Sequence, residues 1–148
     1  MRTGVRSGSG GRRGAVVIET AIVLPLFFAL VLGMVEMARL GLAVQLLTSA
    51  AEAGCRVAVI NGKTQTDVNN AVSAILTSGG ISTSSSSYAS TITTNPVYST
   101  PANITLTHRG DSITLQLSIA YRDISWLTPQ YLGSSTISSS ATLSSERP

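Results

Sequence analysis

Charged side chains are scarce in this chain. They make up 11% of its 148 residues, and the mean hydropathy is +0.31. Soluble globular proteins carry about 25% charged residues, so the shortage is not typical of a fully soluble chain. The composition therefore predicts one modest domain joined to a membrane anchor.

A basic surface of the kind that binds nucleic acid is also missing. Lysine and arginine outnumber the acids ten to seven. The excess comes from the N-terminus, which holds four of the ten: Arg2, Arg6, Arg12 and Arg13. The six that remain are spread among seven acids and do not alternate with aromatic residues, which argues against a nucleic-acid partner.

Histidine and cysteine occur once each, as His108 and Cys55. A single histidine without a carboxylate or thiol at ligand spacing predicts neither a metal site nor a catalytic triad, and no serine stands in a nucleophile-elbow sequence. We therefore expect no catalytic residue, no metal, no cofactor and no small-molecule substrate, and we expect His108 at the surface. Cys55 has no partner for an internal disulfide. It either lies buried, the commoner fate, or links two subunits.

The dominant feature that is present is an apolar stretch, AVVIETAIVLPLFFALVLGMV, over residues 15–35. Only Glu19 and Thr20 interrupt it. As a helix it would be about 31 Å long, which matches the hydrocarbon core of a bilayer. The sequence predicts a transmembrane segment at residues 15–36.

The charges on either side of this segment predict its orientation. The leader, residues 1–14, has four arginines and no acid, whereas Glu36 and Arg39, the first charges downstream, cancel. Basic residues beside a membrane segment stay in the cytoplasm. We therefore expect the leader to be cytoplasmic and everything after the segment to be extracytoplasmic.

Glu19 is unusual because a carboxylate about one turn inside an apolar segment costs a few kcal/mol without a partner. One interpretation is that the membrane core begins at Ala21 and that Glu19 lies at the headgroup level. The other joins Glu19 to the preceding run Arg12-Arg13-Gly14-Ala15. That pattern resembles the leader of type IV pilin-like proteins. The resemblance implies cleavage after Gly14 by a prepilin peptidase, and pairing of Glu19 with a neighbouring subunit's new N-terminal amine.

Three further runs narrow the resemblance: ETAIVLPL from Glu19, GMVEMAR from Gly33, and AAEAGCRVA from Ala50. Together they resemble the TadE-like family, closely over residues 13–59 and more loosely over residues 112–146. These are pseudopilin-type proteins of the bacterial Flp (tight-adherence) pilus machinery. The resemblance implies a pilin-like fold, a place in the inner membrane, and other pilin subunits and the assembly platform as partners.

Helical periodicity continues past the membrane segment. It predicts one helix over residues 15–60, of which residues 37–60 lie outside the membrane. Pro25 removes one hydrogen-bond donor, so we expect a bend there. A second, amphipathic helix should begin after its cap Thr64, with Asp67 completing a capping box, and end at residues 78–80.

After a serine-rich loop the period changes to two. Strands are predicted at residues 91–94, 103–109, 112–122 and 136–143, separated by a turn at Gly110-Asp111 and a loop containing Trp126, Pro129 and Tyr131. The sequence therefore predicts an α+β fold, in which the long and short helices cover one face of an antiparallel sheet of three to four strands. The extracytoplasmic domain is expected over residues 61–148.

Two functions fit these features. In the first, the chain is a minor pilin-like subunit, cleaved after Gly14 and registered through Glu19. In the second, it is an uncleaved single-pass anchor that presents an accessory domain in a secretion complex, and Thr20, where cleaved relatives often have an aromatic residue, keeps this alternative open. A domain released by signal peptidase fits less well, because residues 33–38 read GMVEMA and lack a small-x-small site.

Overall fold

The computed structural model describes residues 10–125 and 135–148, with side chains from residue 14 onward. The chain forms a long helix α1 (Gly10–Val59), a helix α2 (Gln65–Ser78) and three strands, β1 (Ala89–Asn95), β2 (Ser112–Ala120) and β3 (Thr136–Ser144). The predicted α+β class and the order of the two helices before the sheet are confirmed. The chain divides into two compact units, Met1–Met37 and Ala38–Pro148.

In the first unit, α1 is apolar and exposed on all sides. Leu26 is 68% exposed and Phe27 57%. An apolar helix on which no other part of the protein packs requires lipid or other subunits around it. This part of α1 begins five residues before the predicted start and is helical through Pro25. The bend expected at Pro25 stays a prediction.

The junction between the helices follows the predicted capping chemistry. α1 ends at Val59, and Gly62 adopts a positive φ of 78° that favours glycine. The Thr64 backbone N–H donates to Asp67 Oδ2 at 2.9 Å, and the Asp67 N–H donates to Thr64 Oγ1 at 3.4 Å. The capping box that the sequence predicted is therefore confirmed.

The sheet is antiparallel in the order β1-β2-β3, which agrees with the three to four strands expected. The inward residues of the central strand are fully or almost fully buried: Ile113, Leu115, Leu117 and Ile119. They form one hydrophobic core with residues of α1 and α2. A Cβ on Gly54 of α1 would lie 2.5 Å from Leu115 and 2.6 Å from Val72 of α2. The glycine therefore allows close packing of both helices on one face of the sheet, as predicted.

The strand predicted at residues 103–109 is wrong. A single 3-10 turn, Ile104–Leu106, occupies this position. Asn103 Oδ1 accepts hydrogen bonds from the Thr105 N–H at 3.0 Å and its hydroxyl at 2.7 Å, and the Thr107 hydroxyl donates to the Ile104 carbonyl at 2.8 Å. These local side-chain bonds satisfy the groups that a strand ladder would otherwise use.

The other strand predictions are confirmed, with small changes at the ends. β1 extends beyond residues 91–94 on both sides, and β2 stops two residues early because the chain turns into a 3-10 helix at Tyr121–Asp123. Gly110 has a φ of 92° and lies in a turn as expected, but the turn does not join two strands. Trp126, Pro129 and Tyr131 lie outside the described residues.

Hydrogen bonds that sequence analysis missed join Arg147 to the end of α1 and to the segment that follows it. Arg147 is only 4% exposed, and its Nη2 donates to the carbonyls of Ala58 and Lys63, each at 3.0 Å. A cation at this position satisfies unpaired carbonyls and opposes the negative end of the helix dipole. Burial lowers the pKa of the guanidinium below its ordinary value.

Candidate functional site: the exposed part of the first helix

The predicted processing site lies inside α1. Gly14 is the fifth residue of the helix, and no described atom lies within 4 Å of where its Cβ would be. Gly14 and Ala15 are both exposed. The peptide bond that joins them is therefore accessible at the surface of the helix, although its backbone is helical.

Glu19 lies one turn after Ala15. Residues four apart in a helix share a face, and their positions differ by about 6 Å along the axis. Glu19 is exposed and borders a shallow depression whose other residues are apolar apart from a threonine: Val16, Thr20, Val23, Leu24 and Phe27. The carboxylate is thus set among groups that offer it no hydrogen bond.

From residue 14 onward, the described side chains also give Glu19 no charged partner. It is the only charged residue between residues 14 and 35. Among the side chains that the structure describes, none forms an ion pair with it. The Thr20 hydroxyl bonds to the Val16 carbonyl at 2.9 Å and is not directed at the carboxylate. A carboxylate in this setting is favourable only if a cation arrives from elsewhere or if water reaches it.

The helix surface beyond Glu19 is open as well. A Cβ on Gly33 would meet nothing within 4 Å. Of the described helices, α1 is the one that is long and apolar enough to cross a membrane. The prediction of a single-pass membrane protein is consistent with this helix.

The family comparison covers this helix. A family model described as TadE-like protein matches residues 14–56. Over this stretch the chain is similar to the TadE-like family. No curated protein and no solved structure matches the chain. The TadE-like family implies a protein associated with a Tad pilus, and the family is generally structural. The match confirms the close resemblance over residues 14–56 of the predicted 13–59. The looser one over residues 112–146 lies outside the matched range and stays a prediction.

The TadE-like range includes the part of α1 that packs on the sheet, and Cys55 belongs to this part. Cys55 is fully buried, and its thiol donates to the Ile113 carbonyl at 3.2 Å. Burial raises the pKa of the thiol above its ordinary value, which keeps it protonated and unreactive. The prediction of a buried cysteine is confirmed, and a disulfide between subunits would require the core to open.

His108 is exposed as predicted, with 68% of its side chain accessible, but it follows a 3-10 turn and is not in a strand. The structure adds two neighbours that sequence analysis missed. The Tyr98 hydroxyl and the His108 backbone N–H both donate to Asp111 Oδ2 at 2.7 Å, and these bonds lower the pKa of Asp111. The spacing of Asp111, three residues after His108, was the available signal for this turn.

The Tyr98, His108 and Asp111 cluster contains no nucleophile and lies on the surface. Across residues 10–125 and 135–148, no group of three or more His, Cys, Asp or Glu residues could hold a metal ion. The exposed part of α1, which lies largely within the matched range, is therefore the candidate site.

Proposed function

We propose that this TadE-like chain is a minor pilin-like subunit of Flp pilus assembly, which acts by helix packing and subunit registration. The observation that carries the proposal is an apolar helix, exposed on all sides, in which Glu19 lies one turn after an accessible Gly14–Ala15 bond. A helix of this kind packs against either lipid or identical helices in a bundle.

In this proposal the N-terminus lies in the cytoplasm and the domain outside the inner membrane. A prepilin peptidase hydrolyses the Gly14–Ala15 bond, and water adds across it. Gly14 keeps the new carboxylate and leaves with the leader arginines, while Ala15 gains an ammonium group. The cleaved chain thus loses the arginines that set its orientation in the membrane and gains one cation at the start of its helix.

The Glu19 carboxylate then pairs with the Ala15 ammonium of a neighbouring subunit. Two opposite charges attract strongly in a medium of low dielectric, but each loses its hydration first. The net stabilisation is therefore modest. The value of the pair is that it penalises every axial offset between helices except the one that brings the two groups together.

N-terminal sequencing of the chain extracted from native membranes tests the processing step. We expect the sequence to begin at Ala15, and we expect Gly14→Arg to leave Met1 or Arg2 as the first residue. Glu19→Gln should abolish incorporation into pili, whereas the matched control Glu52→Gln, at an exposed acid of the same helix, should leave incorporation intact. Normal incorporation of Glu19→Gln would overturn the registration role.

One observation favours the alternative, an uncleaved single-pass anchor in a secretion complex. The Gly14–Ala15 bond lies within α1, and a peptidase must first unwind this turn. The intact mass of the native chain separates the two functions. A mass that includes residues 1–14, together with normal function of Gly14→Arg, would favour the anchor.

A further inference from the structure

Both outer strands of the sheet have an unpaired edge within the described residues. β1 pairs only with β2 on one side, and β3 pairs only with β2 on the other. Neither strand contains a charged residue or a proline: β1 reads ASTITTN and β3 reads TISSSATLS. Natural sheets normally protect their edges with such residues or with bulges, because free backbone groups recruit another strand.

The edge of β1 opens into a groove of about 1100 Å³. Five consecutive β1 residues, Ser90 to Thr94, form one side, and the segment around Val97 and Pro101 forms the other. None of the lining residues is charged, and none is aromatic. The groove therefore suits a neutral, extended chain, and it offers a sugar ring no aromatic surface for stacking.

One hydroxyl on the inward side of β1 lacks a partner among the described residues. The Thr94 side chain is 3% exposed, and its oxygen accepts and donates no hydrogen bond there. Thr94 follows Ile92 on this inward side, beside the groove. A buried hydroxyl without a partner is costly, and an added strand that brings a hydroxyl to the inward side of β1 would supply one.

β3 has the matching chemistry. Its outward residues are Ser and Thr, and its inward residues Ile137, Ser139 and Ala141 are only half-buried, while Leu143 is 38% exposed. At nine residues it is long enough to cover the seven of β1. It is a neutral strand whose outward side chains are all hydroxyls and whose inward side chains are aliphatic except for Ser139.

We propose that the β1 edge of one chain binds the β3 edge of a second copy of this chain. β1 and β3 both run antiparallel to β2, so copies in the same orientation would pair β1 and β3 in parallel. The contact is head-to-tail, and repeating it produces an open row of subunits with one continuous sheet. A β1-to-β1 contact would close a dimer and leave each β3 edge unpaired, whereas the head-to-tail contact satisfies both edges.

This contact uses neither Gly14 nor Glu19, so it stands or fails separately from the proposed function. Its test is chemical cross-linking of the full, uncleaved chain, which lacks the Ala15 ammonium of the proposed helix pairing, in lipid nanodiscs that are large enough for several copies. The wild-type chain should give a ladder of dimers and higher species. Thr91→Lys/Thr93→Lys places charge on the β1 edge, and Ser138→Lys/Ser140→Lys places it on the β3 edge. All four positions are exposed.

Each double variant alone should lose the ladder, with dimer reduced about tenfold, because edge lysines oppose strand addition. A mixture of the two variants should recover dimer but no higher species, since one intact β1 edge then meets one intact β3 edge. The matched control is Gln116→Lys, on the same exposed face but in the central strand, which should keep the full ladder. Circular dichroism checks that each variant remains folded.

Three results would overturn the proposal. The first is a wild-type chain that stays monomeric, and the second is a ladder that persists in the β1 variant. The third is a β3 variant that still dimerises while the β1 variant does not, because that result identifies β1-to-β1 pairing. A Glu19→Gln chain that keeps its ladder would separate this contact from helix registration.

Discussion

Helix α1 contains two apolar stretches that differ in the size of their side chains. Residues 16–37 carry Leu, Ile, Val, Phe and Met that are largely exposed, whereas Ala43, Ala50, Ala51 and Cys55 are buried in the core. Small residues let another element approach the backbone closely. Large apolar residues all round a helix leave no such face and favour lipid or neighbouring helices. Apart from Leu47, the buried hydrophobic residues of the second stretch have smaller side chains than the exposed large residues of the first.

The largest effect should come from truncating the same residue type in both stretches. Leu47 is fully buried and Leu26 is 68% exposed. Leu47→Ala should lower the free energy of unfolding of the domain by about 3 kcal/mol through lost burial and a cavity. Leu26→Ala should leave it unchanged. Thermal unfolding in detergent micelles, followed by circular dichroism, measures both. Equal losses would contradict the division of α1.

A second comparison fills space in place of removing it. Gly54→Ala brings a Cβ within 2.6 Å of Val72 and closer still to Leu115. We expect a loss of about 2 kcal/mol, because overpacking forces side chains off their preferred rotamers. Gly33→Ala, where nothing lies within 4 Å, is the matched control. The same unfolding measurement should show no loss for the control.

The Arg147 hydrogen bonds at the end of α1 should contribute less to the free energy of unfolding. Arg147→Met keeps much of the apolar stem but removes the donors to Ala58 and Lys63. The expected loss is about 1 to 2 kcal/mol, because two carbonyls lose their partner. Arg122→Met, at an exposed arginine, is the control. Equal free energies of unfolding for the two variants would show that water replaces the Arg147 hydrogen bonds.

The smallest effect is a pH dependence at the start of α2. Hydrogen bonds from the backbone and side chain of Thr64 lower the pKa of Asp67 below its ordinary 3.8. Because the folded pKa is lowered, the stabilisation is present above pH 3.8 and is lost as the pH falls through the lowered value. Acid titration of unfolding should show this loss in the wild type. Asp67→Asn should remove it and leave the titration of Asp111 in place.

Local chemistry made much of this fold predictable from sequence. The capping box at Thr64 and Asp67, the alternation of β2 and the apolar run after Gly14 each depend on residues close together in the chain. The strand prediction at residues 103–109 was wrong for a local reason too, since alternation also fits a turn in which the side chains of Asn103 and Thr107 bond to nearby backbone groups. Periodicity does not reveal where a hydroxyl finds its partner.

The linear sequence by itself determined that residues 14–56 match a family model described as TadE-like protein and that α1 is long and apolar enough to cross a membrane, because hydrophobic length and residue order are properties of the linear chain. Tertiary structure alone decided that Arg147 caps α1, that Gly54 is a point of close packing, and that β1 has a neutral groove beside an open edge. Each of these depends on which distant segments meet, and contacts between residues dozens of positions apart leave no periodic trace in a single sequence.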